Sequence, residues 1–215
     1  MQNKLVIFDL DGTLLNTLPD IADKVNATLN HFGYSMLSEK QVMQNIGNGS
    51  RYLIKTCVGE QLSNEGFDEV FSYFMGLYSG SKDPKTHVYD GITETLNTLI
   101  ERGYMLAIMT NKPQSATDKI CGELLSHIPF VKIIGQSGQV KCKPDKTATE
   151  NLLKEFNVAP QNAYFVGDGE TDVLTAKNAN LNGIAVLWGY RSKTQLKSVG
   201  ATKFANEPKG LLSLI

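Results

Sequence analysis

The chain has 215 residues, of which 41% are hydrophobic and 20% are charged, values that are ordinary for a globular protein. Its formal net charge of -1 provides no bulk basic field for nucleic acid or an acidic membrane surface, so we expect neither as a partner. No stretch approaches the roughly 18 apolar residues of a membrane span. We see no signal peptide before the first acidic residues, and we therefore expect a cytoplasmic protein.

The cysteine pattern argues against a disulfide-rich protein and against a zinc-binding protein. The cysteines are Cys57, Cys121 and Cys142, an odd number without regular spacing. This favours free thiols over a disulfide framework or a zinc site.

The first predicted element is a strand over residues 5–8, a short continuous apolar run of the kind that is buried on both faces of a sheet. Asp9-Leu10-Asp11-Gly12-Thr13 follows it directly. Ligands of an open α/β sheet bind at the carboxyl ends of its strands. These acidic residues are therefore candidate site residues.

A different region follows, from about residue 19 to residue 78. It has no convincing alternating pattern, which excludes strands, and its amphipathic segments predict helices over residues 21–31, 39–45, 51–57 and 67–78. Gly47-Asn48-Gly49-Ser50 predicts a turn followed by a helix N-cap. Asp83-Pro84 predicts the point at which the chain leaves this helical region and returns to the part that contains the first strand.

The remainder of the chain alternates between strands and helices. Predicted strands cover residues 105–109, 131–134, 163–166 and 183–187, and predicted helices cover 93–102, 115–125, 146–156 and 171–179. This alternation predicts an α/β fold with a Rossmann-like parallel sheet. We expect a core of residues 1–15 and 84–215 and an inserted α-helical domain of residues 16–83, with hinges near 15–18 and 80–87.

Asp9 and Asp11 are the strongest catalytic candidates. An Asp carboxylate can attack phosphorus and form an aspartyl-phosphate. A second acid two positions later can protonate the leaving oxygen and then deprotonate a water. Gly12 would allow a sharp turn with backbone N–H groups facing an anion. For an isolated Asp-x-Asp-Gly segment, an Asx turn at a strand end remains the alternative.

Further polar residues follow the later strands. Thr110 and Asn111 could hydrogen-bond a phosphoryl oxygen, although both are ordinary strand-end residues. Lys143 could offset the repulsion between carboxylates and phosphate, with Lys141 as the competing candidate and a solvated surface lysine as the alternative. Asp168 could complete a magnesium site opposite Asp9.

Asp172 lies four residues after Asp168, on the first turn of the next predicted helix. Gly167 and Gly169 would permit the tight turn between strand and helix. We expect Asp172 to contribute to the same cation site, and helix capping is the alternative explanation of this acidic cluster.

In chain order these clusters resemble the motifs of the haloacid dehalogenase superfamily of phosphotransferases. Asp9-Leu10-Asp11-Gly12-Thr13 is similar to the first motif, Thr110 to the second, Lys143 to the third and Gly167-Asp168-Gly169-Glu170-Thr171-Asp172 to the fourth. The resemblance implies Asp9 as nucleophile and Asp11 as acid/base. It also implies Mg²⁺ held by Asp9, the Asp11 carbonyl and Asp168, and a helical cap that closes over the substrate.

Within that superfamily the chain resembles the phosphoglycolate phosphatase branch. The resemblance rests on Thr110-Asn111-Lys112-Pro113, Ile46-Gly47-Asn48-Gly49 and Trp188-Gly189-Tyr190. It implies that the segment around Gly49 recognises substrate, and Arg51 could meet a substrate carboxylate unless it is a helix-surface arginine. The chain departs from the family at Asn16-Thr17, where Asp-Ser is common, and at Gly169, where Ser is common.

We therefore expect a magnesium-dependent phosphomonoesterase that acts through an aspartyl-phosphate on a small phosphorylated metabolite, with phosphoglycolate favoured. The alternatives are a pyrophosphatase or nucleotide monophosphatase, a phosphomutase, and a non-catalytic regulatory protein on the same fold. We expect a monomer or a homodimer.

Overall fold

The computed structural model describes residues 3–59, 63–80 and 82–215. The strands are β1 (Lys4–Phe8), β2 (Leu15–Asn16), β3 (His87–Val88), β4 (Tyr104–Pro113), β5 (Lys132–Gln136), β6 (Ala163–Gly167), β7 (Asn182–Val186) and β8 (Phe204–Ala205). The α-helices are α1 (Leu18–His31), α2 (Glu39–Asn45), α3 (Ser50–Val58), α4 (Asn64–Gly80), α5 (Ile92–Glu101), α6 (Gln114–Leu124), α7 (Thr147–Glu155), α8 (Glu170–Asn178) and α9 (Lys193–Ser198).

The main sheet is parallel and has the strand order β5-β4-β1-β6-β7-β8. Strand β1 lies between β4 and β6, in register with both. Because all three strands run in the same direction, their carboxyl ends meet at one edge of the sheet. The predicted α/β fold class is confirmed.

The two faces of the sheet pack against separate hydrophobic clusters. Val6 and Phe8 point into one cluster, and Leu5 and Ile7 point into the other, as the period-2 geometry of a strand requires. All of these side chains are fully buried. Burial on both faces explains why β1 has a continuous apolar sequence rather than an alternating one.

Helices α1 to α4 pack around a third hydrophobic cluster of their own, in which Phe74, Val25 and Ile54 are fully buried. The chain enters this helical segment after β2 and leaves it before β3, and these short strands pair antiparallel to each other. The division into a core and an inserted helical domain stays a prediction, with boundaries close to this β2–β3 ribbon.

Most predicted elements lie within a few residues of the observed ones. Helices α1 and α4 begin three residues earlier than predicted, at Leu18 and Asn64 rather than at residues 21 and 67. Strand β4 extends to Pro113, beyond the predicted end at residue 109. The elements β2, β3, β8 and α9 were not predicted from the sequence. No helix that the structure describes is long and apolar enough to cross a membrane.

Candidate active site

Polar side chains at the ends of β1, β4 and β6 converge on one cavity of about 40 Å³, closed on its other side by the helical segment. Of the predicted site residues, Asp9, Asp11, Thr110, Asn111, Asp168 and Gly49 line it. A cavity of this size has room for a few water molecules. It could therefore receive only a small ligand without movement of the surrounding elements.

Lys143 is held between two carboxylates. Its Nζ lies 2.8 Å from Asp9 Oδ1 and 2.6 Å from Asp172 Oδ1. Burial alone would lower the pKa of Lys143, but Asp172 and Asp9 raise it above the ordinary value, so the ammonium stays charged. Lys141 is instead exposed and pairs with Asp145, so the structure favours Lys143 over its competitor.

The carboxylate of Asp9 keeps one oxygen available. Its Oδ1 accepts a hydrogen bond from the Leu10 N–H at 2.7 Å and contacts Lys143 Nζ. Among the described residues, Oδ2 has no hydrogen-bond or ion-pair partner. Burial and the neighbouring Asp172 raise the pKa of Asp9 to about 7, although Lys143 opposes this shift.

Asp168 is positioned by hydrogen bonds from two elements. Thr13 Oγ1 donates to Asp168 Oδ1 at 2.9 Å, and the Tyr190 N–H donates to Oδ2 at 2.8 Å. A Cβ atom at Gly12 or Gly189 would lie only 2.4 or 2.3 Å from the Asp168 side chain, so both positions require glycine. Burial and the charge of Asp9 raise the pKa of Asp168 to about 7.

The predicted role of Gly12 as an anion ligand needs correction. Its φ of +82° and its contact with Asp168 explain why glycine stands there. Its N–H, however, donates to the Leu15 carbonyl at 2.8 Å. Because the turn uses this donor internally, Gly12 gives Asp168 space rather than a hydrogen bond to a ligand.

A cation could be held by a group of carboxylates at this site. Oxygen atoms of Asp9, Asp168 and Asp172 lie within 4.8 Å of one another. Carboxylate oxygens are the ligands that Mg²⁺ prefers, and the raised pKa values of Asp9 and Asp168 indicate a shortage of positive charge. The donor set therefore fits a divalent cation. The carboxylate of Asp11 does not belong to this group and contacts Lys112 instead.

Asp172 already has partners for both of its oxygens. Oδ1 contacts Lys143, and Oδ2 accepts the Gly169 N–H at 2.8 Å, where Asp172 caps the start of α8. The backbone N–H of Gly169 makes this contact, so the absence of a serine side chain at that position leaves it intact. Direct metal ligation by Asp172 stays a prediction, since its charge is used to hold Lys143.

Asn111 connects three parts of the site through backbone groups. Its Nδ2 donates to the Gly47 carbonyl at 2.8 Å and to the Lys143 carbonyl at 3.2 Å, and its Oδ1 accepts the Lys143 N–H at 2.8 Å. Both amide hydrogens are therefore used, which makes the side chain a support for neighbouring segments rather than a phosphoryl ligand. Thr110 Oγ1 accepts the Lys112 N–H at 3.3 Å, which leaves its hydroxyl hydrogen to donate into the cavity.

Arg51 does not line the cavity, and its contact with a substrate carboxylate stays a prediction. Its side chain is 59% exposed, pairs with Asp68 at 2.6 Å and packs over Phe67 and Phe71. The helical rotation from one residue to the next places Ser50 inward and Arg51 outward. Ser50 is buried and lines the cavity, and α3 begins there with Gly49 as an N-cap without a side-chain hydrogen bond.

Several residues that line the cavity were not predicted as site residues, among them Lys112, Tyr78 and Arg191. Lys112 Nζ lies 2.7 Å from Tyr78 Oη on α4, and Arg191 binds Glu170 and the carbonyls at the end of α2. Lys112 lies within Thr110-Asn111-Lys112-Pro113 and Arg191 directly follows Trp188-Gly189-Tyr190, and these family motifs are the signal that could have identified both. Tyr78 carries no such signal, because it belongs to an ordinary amphipathic helix.

The departure at Asn16-Thr17 is structurally accommodated. The Thr17 N–H donates to Tyr190 Oη at 3.0 Å, and Thr17 Oγ1 lies 3.1 Å from the same oxygen. Thr17 is buried at the start of the helical segment. Its hydroxyl therefore links that segment to the loop after β7.

Comparisons with known proteins agree with this geometry. Residues 6–186 match the family model described as haloacid dehalogenase-like hydrolase. Phosphoglycolate phosphatase 1 of Pseudomonas aeruginosa is 33% identical over 97% of this chain and 78% of its own length. Phosphoglycolate phosphatase of Psychrobacter arcticus is 30% identical over 100% of this chain and 96% of its own length. A solved structure from Lactobacillus delbrueckii subsp. bulgaricus superposes with a TM-score of 0.92 at 25% identity, covering 100% of this chain and 99% of that one.

Proposed function

Because the chain belongs to the haloacid dehalogenase-like hydrolase family, we propose that it is a magnesium-dependent phosphatase that hydrolyses phosphoglycolate. The predicted family is confirmed. The observation that carries the proposal is the ion pair between Asp9 and Lys143, 2.8 Å apart, at the carboxyl end of β1. The other oxygen of Asp9, Oδ2, has no protein partner in the described part of the chain.

Asp9, Asp168 and the Asp11 carbonyl would hold the magnesium ion. When bound, the ion neutralises part of the charge of the phosphate and of the carboxylates around it. Lys143 adds a fixed positive charge beside Asp9, and Asp172 holds that lysine in place from its other side. These charges stabilise the negative charge that gathers around phosphorus in the transition state.

The reaction proceeds through Asp9 and Asp11. Asp9 attacks phosphorus in line with the leaving oxygen, so an aspartyl-phosphate bond forms as the ester bond breaks. Asp11 gives its proton to the leaving alcohol and then takes a proton from water, which attacks the aspartyl-phosphate and releases phosphate. Closure of the helical segment over the cavity would exclude bulk water from the first step.

The proposed substrate is small and anionic. Relatives named phosphoglycolate phosphatase match nearly the whole chain, and the cavity of about 40 Å³ suits a ligand of few atoms. Pyrophosphate, nucleotide monophosphates and phosphosugars that a mutase would rearrange are the rival substrates.

The test is phosphate release from a panel of these compounds, with and without Mg²⁺. We expect magnesium-dependent release that is fastest with phosphoglycolate, and we expect Asp9→Asn to lower kcat/KM by more than about 100-fold because the nucleophile is lost. Asp145→Asn is the matched control. That carboxylate lies outside the cavity, beside Lys141, and its loss should change kcat/KM by less than about twofold.

Each alternative gives a different result. Activity of Asp9→Asn close to that of wild type would refute the nucleophile assignment. Preference for pyrophosphate or a nucleotide would refute the substrate and keep the chemistry. A phosphomutase would convert a phosphosugar without net phosphate release. A non-catalytic protein would release phosphate from none of the compounds.

A further inference from the structure

Most buried cations of the described chain have a close carboxylate partner. Lys143 contacts Asp9 and Asp172 at 2.8 and 2.6 Å. Lys24 pairs with Asp83, and both side chains are largely buried. Arg191 Nε lies 2.8 Å from Glu170 Oε2. In each case the cost of burying a positive charge is offset by a carboxylate at hydrogen-bond distance.

Lys112 differs from these residues. Its side chain is only 5% exposed, yet its short hydrogen bond, at 2.7 Å, goes to the neutral hydroxyl of Tyr78. The carboxylate of Asp11 lies 3.4 Å away, beyond the usual 2.7–3.2 Å range of an N–H···O bond. A lysine side chain is an ammonium ion at neutral pH, so Lys112 is a cation here.

This ammonium group has an unused donor at the cavity. An ammonium carries three N–H donors, and within the described residues Lys112 Nζ has only the Tyr78 and Asp11 contacts. Lys112 and Tyr78 both line the cavity that also contains Asp9. A buried ammonium group with an unused N–H donor that faces such a cavity indicates an anionic ligand group distinct from the phosphoryl group at Asp9.

The start of α3 supplies further donors beside it. Ser50 is only 7% exposed, and within the described residues its hydroxyl makes no hydrogen bond. Gly49 caps α3 without a side chain, so first-turn N–H groups remain available. Arg191 lines the same cavity, but its guanidinium is already bound to Glu170 and to backbone carbonyls. Lys112 is therefore the better match for an anionic group of the ligand.

We propose that Lys112, positioned by the Tyr78 hydroxyl, binds the carboxylate of the substrate and selects phosphorylated hydroxy acids over phosphorylated alcohols. This inference rests on the proposed function and assigns its specificity to a lysine of β4 and a tyrosine of α4. The substrate then connects the two elements, because its phosphoryl group lies at Asp9 and its carboxylate lies between Lys112 and α4.

The experiment compares phosphoglycolate with 2-hydroxyethyl phosphate, which is of similar size and has no carboxylate. The quantity compared is kcat/KM for phosphoglycolate divided by kcat/KM for 2-hydroxyethyl phosphate. We expect this ratio to be about 100-fold lower in Lys112→Met than in wild type, the loss typical of one hydrogen bond to a charged group. The loss should appear mainly in KM for phosphoglycolate. Lys132→Met removes a lysine that lies outside the cavity and pairs with Glu155, and this variant should keep the wild-type ratio.

Tyr78→Phe provides a second readout if Lys112→Met fails to fold. It keeps the buried ring and removes only the hydroxyl that holds Lys112, and we expect the ratio to fall by about tenfold. An equal loss of activity toward both compounds, or an unchanged ratio in a folded variant, would refute the inference.

Direct binding separates this inference from the proposed function. In the Asp9→Asn background, calorimetry should show that phosphoglycolate binds more tightly than 2-hydroxyethyl phosphate, and that Lys112→Met removes the difference. A wild-type chain that binds phosphoglycolate selectively but hydrolyses neither compound would refute the phosphatase and support the role of Lys112. A chain that hydrolyses both equally well would support the phosphatase and refute the role of Lys112.

Discussion

At the scale of single residues, the site is a cluster of buried carboxylates with too little positive charge around it. Asp9 and Asp168 both have a pKa raised to about 7, from an ordinary value of 3.8, chiefly because they are buried. Lys143 compensates only part of this charge, since it is shared between Asp9 and Asp172. The folded protein therefore holds these carboxyl groups at an energetic cost whenever they are ionised.

This arrangement predicts how stability varies with pH when no metal is present. Between pH 3.8 and about 7 the folded protein keeps protons that the unfolded chain has released, so Asp9 and Asp168 make the free energy of unfolding fall as the pH rises. We expect their stabilising contribution to be complete below pH 3.8 and lost above about 7. Thermal unfolding in a chelator at pH 5 and pH 8 measures it.

Asp168→Asn is the informative variant for this measurement. It removes one of the groups responsible, so the fall in Tm from pH 5 to pH 8 should be smaller than in wild type. Added Mg²⁺ should raise the wild-type Tm at pH 8 more than at pH 5, because it binds the ionised carboxylates. An identical pH dependence in wild type and Asp168→Asn would contradict the assignment.

At the scale of elements, one arginine links the helical segment to the sheet. Arg191 follows β7, pairs with Glu170 at the start of α8, and donates to Met43 and Ile46 at the end of α2 at 3.0 and 2.5 Å. The carbonyls at a helix C-terminus carry partial negative charge and favour a cation. This buried guanidinium therefore contributes to the interaction between α2 and the core, together with the Asn111 hydrogen bond to the Gly47 carbonyl.

Replacing this arginine should loosen α2 against the core. We expect Arg191→Gln to lower the free energy of unfolding by about 2 kcal/mol, the range for hydrogen bonds to a charged group, and to speed amide exchange in α2. Chemical denaturation and hydrogen exchange measure both effects. Arg51→Gln is the control, since its pair with Asp68 is largely exposed and should contribute less than about 1 kcal/mol. Equal effects of the two variants would contradict this role for Arg191.

The sequence predicted the long elements well and the short ones poorly. Strand β1 and helix α2 were predicted nearly to their ends, because a continuous apolar run and a helical period are visible within single segments. Strands β2, β3 and β8 have 2 residues each, too few to display any period. Their existence depends on pairing with distant strands, which no local pattern records.

At the scale of the whole molecule, the hydrophobic interior is divided. Helices α1 to α4 surround their own cluster, to which Ala116 and Tyr190 are the buried contributors from the rest of the described chain. The sheet has separate clusters on its two faces. We therefore expect the helical segment to unfold locally while the sheet remains folded.

Truncation of one buried aromatic residue in each unit tests this expectation. Phe74→Ala, in the helical cluster, should cost about 3–5 kcal/mol and speed amide exchange within residues 18–80 while β1, β4 and β6 stay protected. Phe165→Ala, in a cluster against the sheet, should instead speed exchange in the sheet. Exchange that rises equally throughout the molecule in both variants would show a single cooperative unit.

The separation between the sheet and the helical segment also explains which site residues the sequence could predict. Asp9 and Asp168 follow strands of one parallel sheet, and Thr110 lies near the carboxyl end of another, so their convergence follows from the order of elements along the chain. The contact between Lys112 and Tyr78 arises only when α4 packs over the sheet, and no local pattern specifies that packing. The same applies to the outward direction of Arg51, which depends on where α3 begins.

The β2–β3 ribbon has a consequence for how such a protein can change over evolutionary time. Leu15 pairs with Val88 and Asn16 with His87, so the chain enters and leaves the helical segment at adjacent points. An insertion whose entry and exit points are adjacent is tolerated because it does not distort the structure on either side. The segment between these points can therefore be lengthened, replaced or exchanged by recombination without displacing Asp9 or Asp168. New substrates can be acquired in this way while the reaction itself is inherited unchanged.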